Sequence, residues 1–201
     1  MFIKYPGGIT NNYLENKKPD KKKDSLELSI SASNRGMSFE NEINLSNEYY
    51  SANNIAVITK RPTPINVVKV DYSRGSRIVD AYFEKQSTTD YNGVYKGRYI
   101  DFEAKNTKNK TSFPLANISL HQIKHLENVQ KHGGIAAFLV RFELLNEVFL
   151  LDASVILEFY YSGKRKSIPH DVFIQKGKKI KQGFMPRYDY ISAIEEMYFS
   201  S

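Results

Sequence analysis

Thr88-Thr89-Asp90-Tyr91-Asn92-Gly93-Val94-Tyr95-Lys96-Gly97-Arg98-Tyr99-Ile100-Asp101-Phe102-Glu103-Ala104-Lys105 is the stretch that decides the fold. Lys96-Gly97 is a turn signal between two β-prone runs, so the segment predicts a hairpin. In its second run Ile100, Phe102 and Ala104 alternate with Tyr99, Asp101, Glu103 and Lys105. That period of two is the signature of a strand, and it puts three apolar residues on one face and the charges on the other.

A hairpin of this kind brings Asp90 back toward Glu103, and Lys105 shares the face of Glu103. Two carboxylates and one ammonium so arranged can hold a hard divalent cation beside a phosphate. The implied chemistry is metal-dependent phosphodiester hydrolysis, with Lys105 orienting water or offsetting negative charge. Asp101 lies on the same face and is available to assist. A solvated sheet face with an ordinary cross-strand ion pair would show the same letters, so the pattern alone does not decide.

Working outward, the elements alternate between helix and strand. Phe39, Ile43 and Tyr50 recur at helical spacing and predict a helix over 38–50. A strand follows at 55–59, and Arg61-Pro62-Thr63-Pro64 breaks it. Residues 65–83 read as two β-prone runs around a basic turn, an excursion between core elements. Beyond the central hairpin come a polar loop at 106–110, a helix over 118–131 stopped by Gly133-Gly134, a buried strand at 135–142 and a second at 148–151. Asp152 is placed to cap a helix through 161. Residues 163–181 are a basic, glycine-containing stretch, and 191–199 predict a closing helix. The fold class is α/β with a mixed sheet.

The chain has 201 residues, with 29 Lys and Arg against 22 Asp and Glu, a formal charge of +7. That excess favours a polyanionic partner. Residues 1–30 carry Lys17, Lys18, Lys21, Lys22 and Lys23 and predict a flexible basic arm ahead of one domain over 31–201. The absence of cysteine removes disulfides and thiolate-bound metals and fits a cytoplasmic protein. No long apolar span or leader is visible, so no membrane partner is expected. His121 and His125 are four apart on the predicted helix, but lack further zinc ligands and read as surface residues. No glycine-rich nucleotide loop or nucleophile elbow is present.

Several strings together resemble the RecU family of Holliday junction resolvases. They are Asn34-Arg35-Gly36-Met37, Ile55-Ala56-Val57-Ile58, Pro62-Thr63-Pro64, Ala81-Tyr82-Phe83, the central block 87–105 and its continuation to Leu115, His121-Gln122-Ile123, and Pro186-Arg187-Tyr188-Asp189-Tyr190. The resemblance implies a restriction-endonuclease-like core with a mixed central sheet flanked by helices, and a protruding stalk at about 62–83. It implies a homodimer that cuts four-way DNA junctions with Mg²⁺, Mn²⁺ being able to substitute, during recombination and repair. The implied metal ligands are Thr88, Asp90, Glu103 and Gln122, with Lys105 at the transition state. Glu40, with Glu42 second, is the match for an auxiliary acid on the first helix. Arg35, Lys60, Arg61, Arg74 and Arg77 are implied DNA contacts, with Tyr82 and Phe83 stacking on or wedging between bases. RecA recombinase is a further implied partner. Two alternatives stay open: a junction-binding regulator of RecA that does not cleave, and a duplex-cutting restriction-type enzyme.

Overall fold

The computed structural model describes residues 38–83 and 88–200. The basic arm at 1–30 and Arg35 lie outside the described residues. The expected central hairpin is strands β4 (Tyr91–Tyr95) and β5 (Arg98–Thr107), with Tyr95 opposite Arg98. Its two-residue loop has φ of 46° at Lys96 and 76° at Gly97. Positive φ at both positions is the turn whose twist matches a hairpin.

These strands sit inside a six-stranded sheet. Strand β1 (Val57–Lys60) flanks β4, and β7 (Ile135–Phe142), β8 (Glu147–Asp152) and β10 (Lys178–Lys179) follow β5, giving the order β1-β4-β5-β7-β8-β10. Only β5 and β7 pair in parallel; the other pairs in this sheet are antiparallel. The sheet is therefore mixed, and helix α2 (Leu120–Lys131) is the crossover that a parallel pair requires. Close docking of β1 on β4 depends on Gly93, where a Cβ would lie 1.9 Å from the Val57 carbonyl oxygen.

Both faces of the sheet are covered. Ile135, Ala137 and Leu139 of β7 face α1 (Phe39–Ala52) and α5 (Tyr190–Tyr198), packing with Ile43, Tyr50, Ile191 and Ile194. Ala136, Phe138 and Val140 face the other way, toward Ile123 and Leu126 of α2 and Ile156 of α3 (Ala153–Ser162). Burial on both faces is the usual environment of a parallel pair. The predicted Asp152 cap is present, accepting from Ser154 N–H at 2.8 Å, and Ser38, read as the first residue of its helix, caps it instead, accepting from Asn41 N–H at 3.3 Å.

Residues 163–181 contain more order than their charge suggests. Strand β9 (Ser167–Pro169) pairs with β6 (Ser112–Pro114), and α4 (His170–Lys176) follows it. Ile168 and Phe173 are buried and anchor the segment to the α2 side. Between β1 and β4 the chain makes a separate two-stranded sheet, β2 (Ile65–Asp71) and β3 (Arg77–Phe83), with all seven residues of β3 exposed. Because Lys60 lies opposite Tyr91, this hairpin leaves and re-enters the main sheet at one place. Among the described residues no helix is long and apolar enough to cross a membrane.

Candidate active site

Residues aligned across a parallel pair share a face, so the register Asp101–Ala136, Glu103–Phe138 and Lys105–Val140 sends all three charged side chains toward α2. The charged face is thus covered rather than solvated, and Glu103 is 1% exposed. Asp90, in the turn before β4, meets Glu103 as the hairpin predicts. Its N–H donates to Oε2 of Glu103 at 3.1 Å, and its own Oδ2 accepts from Ala104 N–H at 3.2 Å. The Glu103 carboxylate is anchored on the turn before β4 and the Asp90 carboxylate on β5. Lys105 places Nζ 2.7 Å from Oε1 of Glu103.

Helix α2 closes the site. Gln122 is buried and donates Nε2–H to the same Oε1 of Glu103, while its carbonyl oxygen accepts from Ser119 N–H at 3.1 Å and from the Ser119 hydroxyl at 2.9 Å. Gln122 therefore reaches the site but offers it nitrogen. Ligation through its side-chain oxygen requires a half-turn of the amide. Thr88 lies half-buried two residues before Asp90.

Burial pushes the Glu103 carboxyl up, the neighbouring Asp90 charge pushes it further, and Lys105 opposes both; the outcome is a pKa of about 7. Asp101 goes the other way. Burial would raise it, but hydrogen bonds from His125, Thr89 and Tyr99 prevail and hold it below the usual carboxylate range. Sequence reading placed His125 on the surface; it is half-buried, with Nε2 2.9 Å from Oδ2 of Asp101. The signal was there in spacing: His125 lies one turn beyond Gln122, and Asp101 one strand repeat before Glu103.

Confined negative charge is the test of whether a cation fits. Asp90 and Glu103 crowd each other where water is scarce, and the donors available from Thr88 and a turned Gln122 are hard oxygens. That set suits Mg²⁺ or Mn²⁺. It is not a cage: no group of three or more His, Asp or Glu poised for a metal is found among the described residues. Mg²⁺ commonly keeps several waters beside one or two carboxylates.

The remaining predicted residues are spread over several places. Glu40 is exposed and pairs with Lys60. Glu42 is 2% exposed and accepts from Arg141 at 2.8 Å, Arg187 at 3.0 Å and the Tyr188 hydroxyl at 2.8 Å. Arg61 is committed to Asp101 and to the Tyr99 hydroxyl. Arg74, Arg77, Tyr82 and Phe83 stand exposed on the β2–β3 hairpin.

The family model described as Recombination protein U matches residues 34–196. The Holliday junction resolvase RecU of Geobacillus sp. (strain WCH70) is 51% identical over 205 residues, and that of Geobacillus kaustophilus (strain HTA426) 48%, each covering 100% of both chains. That of Bacillus cereus (strain AH820) is 49% identical over 207 residues, again with 100% coverage of both. A solved structure of Archaeoglobus fulgidus Hjc, a Holliday junction resolvase, aligns with 67% of this chain and 89% of its own at 12% identity. The TM-score of that alignment is 0.40.

Proposed function

This chain belongs to the RecU family, and on that premise we propose that it is an endonuclease that resolves Holliday junctions by paired symmetric nicks in recombination and repair. The observation that carries the reading is the meeting of Asp90, in the turn before β4, with Glu103 of β5, and the Lys105 ammonium on the Glu103 carboxylate. A mixed sheet with an acidic strand at its centre is the frame expected of a restriction-endonuclease-like nuclease.

Asp90 and Glu103, with Thr88 and a turned Gln122, would hold Mg²⁺, for which Mn²⁺ can substitute. Such a cation supplies Lewis acidity and lowers the pKa of bound water. The chain's own residues do the rest. Lys105 holds a proton on Nζ at the point where negative charge develops on the phosphate, and its release from Glu103 frees that ammonium for the substrate. The buried wall of β5 and α2 excludes bulk water and strengthens each of these interactions.

Selectivity for a four-way junction comes from shape and charge. The β2–β3 hairpin offers Arg74 and Arg77 to phosphates and Tyr82 and Phe83 to unpaired bases. Lys60 is a further phosphate contact once released from Glu40, and Arg35 another. A homodimer with two sites related by a twofold axis would nick two strands of like polarity. RecA recombinase is the proposed protein partner, and the cytoplasm, at the nucleoid when bound to DNA, the proposed location. Presence of Thr88, Asp90, Glu103, Lys105 and Gln122 together favours cleavage over binding without cleavage.

The test is cleavage of a mobile four-way junction beside a linear duplex of matched arms, with Mg²⁺. Symmetric nicks in the junction alone support the reading; equal cutting of both favours a restriction-type enzyme.

A further inference from the structure

Asp101 is wholly buried, yet its surroundings are hydrogen-bond donors. The Thr89 hydroxyl donates to Oδ1. On Oδ2 converge Nη2 of Arg61 at 2.6 Å, the Tyr99 hydroxyl at 2.7 Å and Nε2 of His125 at 2.9 Å. A carboxylate offers about four acceptor positions, and four donors already engage both oxygens, three of them on Oδ2. Asp101 shares the strand face of Glu103, but its hydrogen bonds are spent on the protein's own segments.

What the four donors have in common is where they come from. Thr89 is the residue between Thr88 and Asp90. Arg61 binds Asp101 through its guanidinium and, through its own N–H, donates to the Asp90 carbonyl oxygen at 2.8 Å. His125 is one helical turn beyond Gln122, which touches Glu103. Glu103 itself is two residues along β5. The turn before β4, the end of β1, strand β5 and helix α2 all meet on one buried carboxylate, and three of these four segments supply a candidate metal ligand.

We propose that Asp101 is a positioning residue, holding Asp90, Glu103 and Gln122 at a separation that binds a divalent cation, through Thr89, Arg61 and His125. The inference rests on the reading of Asp90 and Glu103 as that cation's ligands. Physically, Asp101→Asn keeps the volume but turns an NH₂ toward a ring of donors. The NH₂ can face only the Thr89 hydroxyl, which must then accept instead of donate, and the neutral oxygen left to Arg61, Tyr99 and His125 holds them more weakly than a carboxylate does, so the grip on the segment at 88–90 loosens. Partners that orient ligands without touching the metal typically govern its affinity by ~10–100-fold.

The experiment is calorimetric titration of Mn²⁺ into the full-length, DNA-free protein, for wild type, Asp101→Asn and Asp90→Ala. Junction binding in EDTA and the Mn²⁺ dependence of cleavage are measured alongside. Asp101→Asn is expected to weaken Mn²⁺ binding ~10–100-fold, to bind junctions as wild type does, and to regain cleavage at high Mn²⁺. Thr89→Val should shift Mn²⁺ binding the same way and Thr89→Ser should restore it; this pair decides the matter if Asp101→Asn does not fold. Loss of Mn²⁺ binding in Asp90→Ala with wild-type binding in Asp101→Asn and Thr89→Val overturns the positioning role. Wild-type binding in Asp90→Ala instead overturns the assignment of the ligands.

Discussion

The ammonium of Lys105 stands 2.7 Å from Oε1 of Glu103, two residues before it on one strand. Both side chains project on the α2 side of the sheet. Lys105→Ala should lower single-turnover cleavage by about 10²–10³, the scale for losing one donor to transition-state charge. Junction binding should persist. Lys105→Arg should not restore the rate, because a planar fork does not replace a point donor on a flexible stem. A rate near wild type in Lys105→Ala would remove Lys105 from the chemistry.

The pKa of about 7 at Glu103 makes stability fall with rising pH in the metal-free protein. Between the ordinary value of 4.5 and about 7 the folded chain keeps a proton that the unfolded chain has released. Proton binding by the folded state is then the greater, and the slope of stability against pH is negative. The full window is worth roughly 3 kcal/mol. Melting curves across it should show that decline in wild type and its loss in Glu103→Gln. Adding Mg²⁺ near pH 6 should release a proton, since a cation favours the ionised carboxylate. Asp101 acts in the opposite direction: its stabilisation is lost only as acid titrates it below the usual carboxylate range.

Glu42 and Glu40, two residues apart on α1, should separate cleanly. Glu42 is buried against Arg141, Arg187 and Tyr188, so Glu42→Ala leaves two guanidinium groups without their carboxylate. Breaking a buried pair from one side costs about 3–5 kcal/mol. The Glu40–Lys60 pair is exposed, and pairs of that kind are worth about 0–1 kcal/mol. Denaturant unfolding of the two alanine variants measures the difference. A large stability loss in Glu40→Ala, or none in Glu42→Ala, would contradict the assignment of Glu42 as the structural acid.

On the β2–β3 hairpin, Tyr82 is 60% and Phe83 79% exposed. Their replacement by alanine should leave the melting temperature unchanged while weakening binding to junctions more than to duplex. Arg74→Ala with Arg77→Ala should flatten the salt dependence of binding by about 0.9 in log–log slope for each phosphate no longer neutralised. An unchanged slope would take both arginines off the DNA.

How far the sequence reached is clearest along β5. Its alternation and the Lys96-Gly97 turn are local, and they were enough to pair Asp90 with Glu103 and to set Lys105 beside them. What α2 contributes is not local. The spacing of His125 from Gln122 points to Asp101, twenty-four residues earlier, only once Gln122 is set against Glu103, and that placement depends on the parallel crossover to β7. The same nonlocality left the charged face undecided between a solvated surface and a site, since period two alone does not show what covers it. In 163–181 the buried apolar residues Ile168, Phe173 and Ile180 fall in or beside three short elements, β9, α4 and β10, so no one period runs through the segment. At 106–110 the polar letters suggested a loop where β5 continues through Thr107.

The nuclease assignment stands or falls on Mg²⁺-dependent cleavage of a four-way junction by wild type and by Asp90→Ala, with junction binding measured on the same samples. Wild type is expected to make paired symmetric nicks, and Asp90→Ala to bind undiminished and make none. Equal cleavage by both proteins would contradict the assignment.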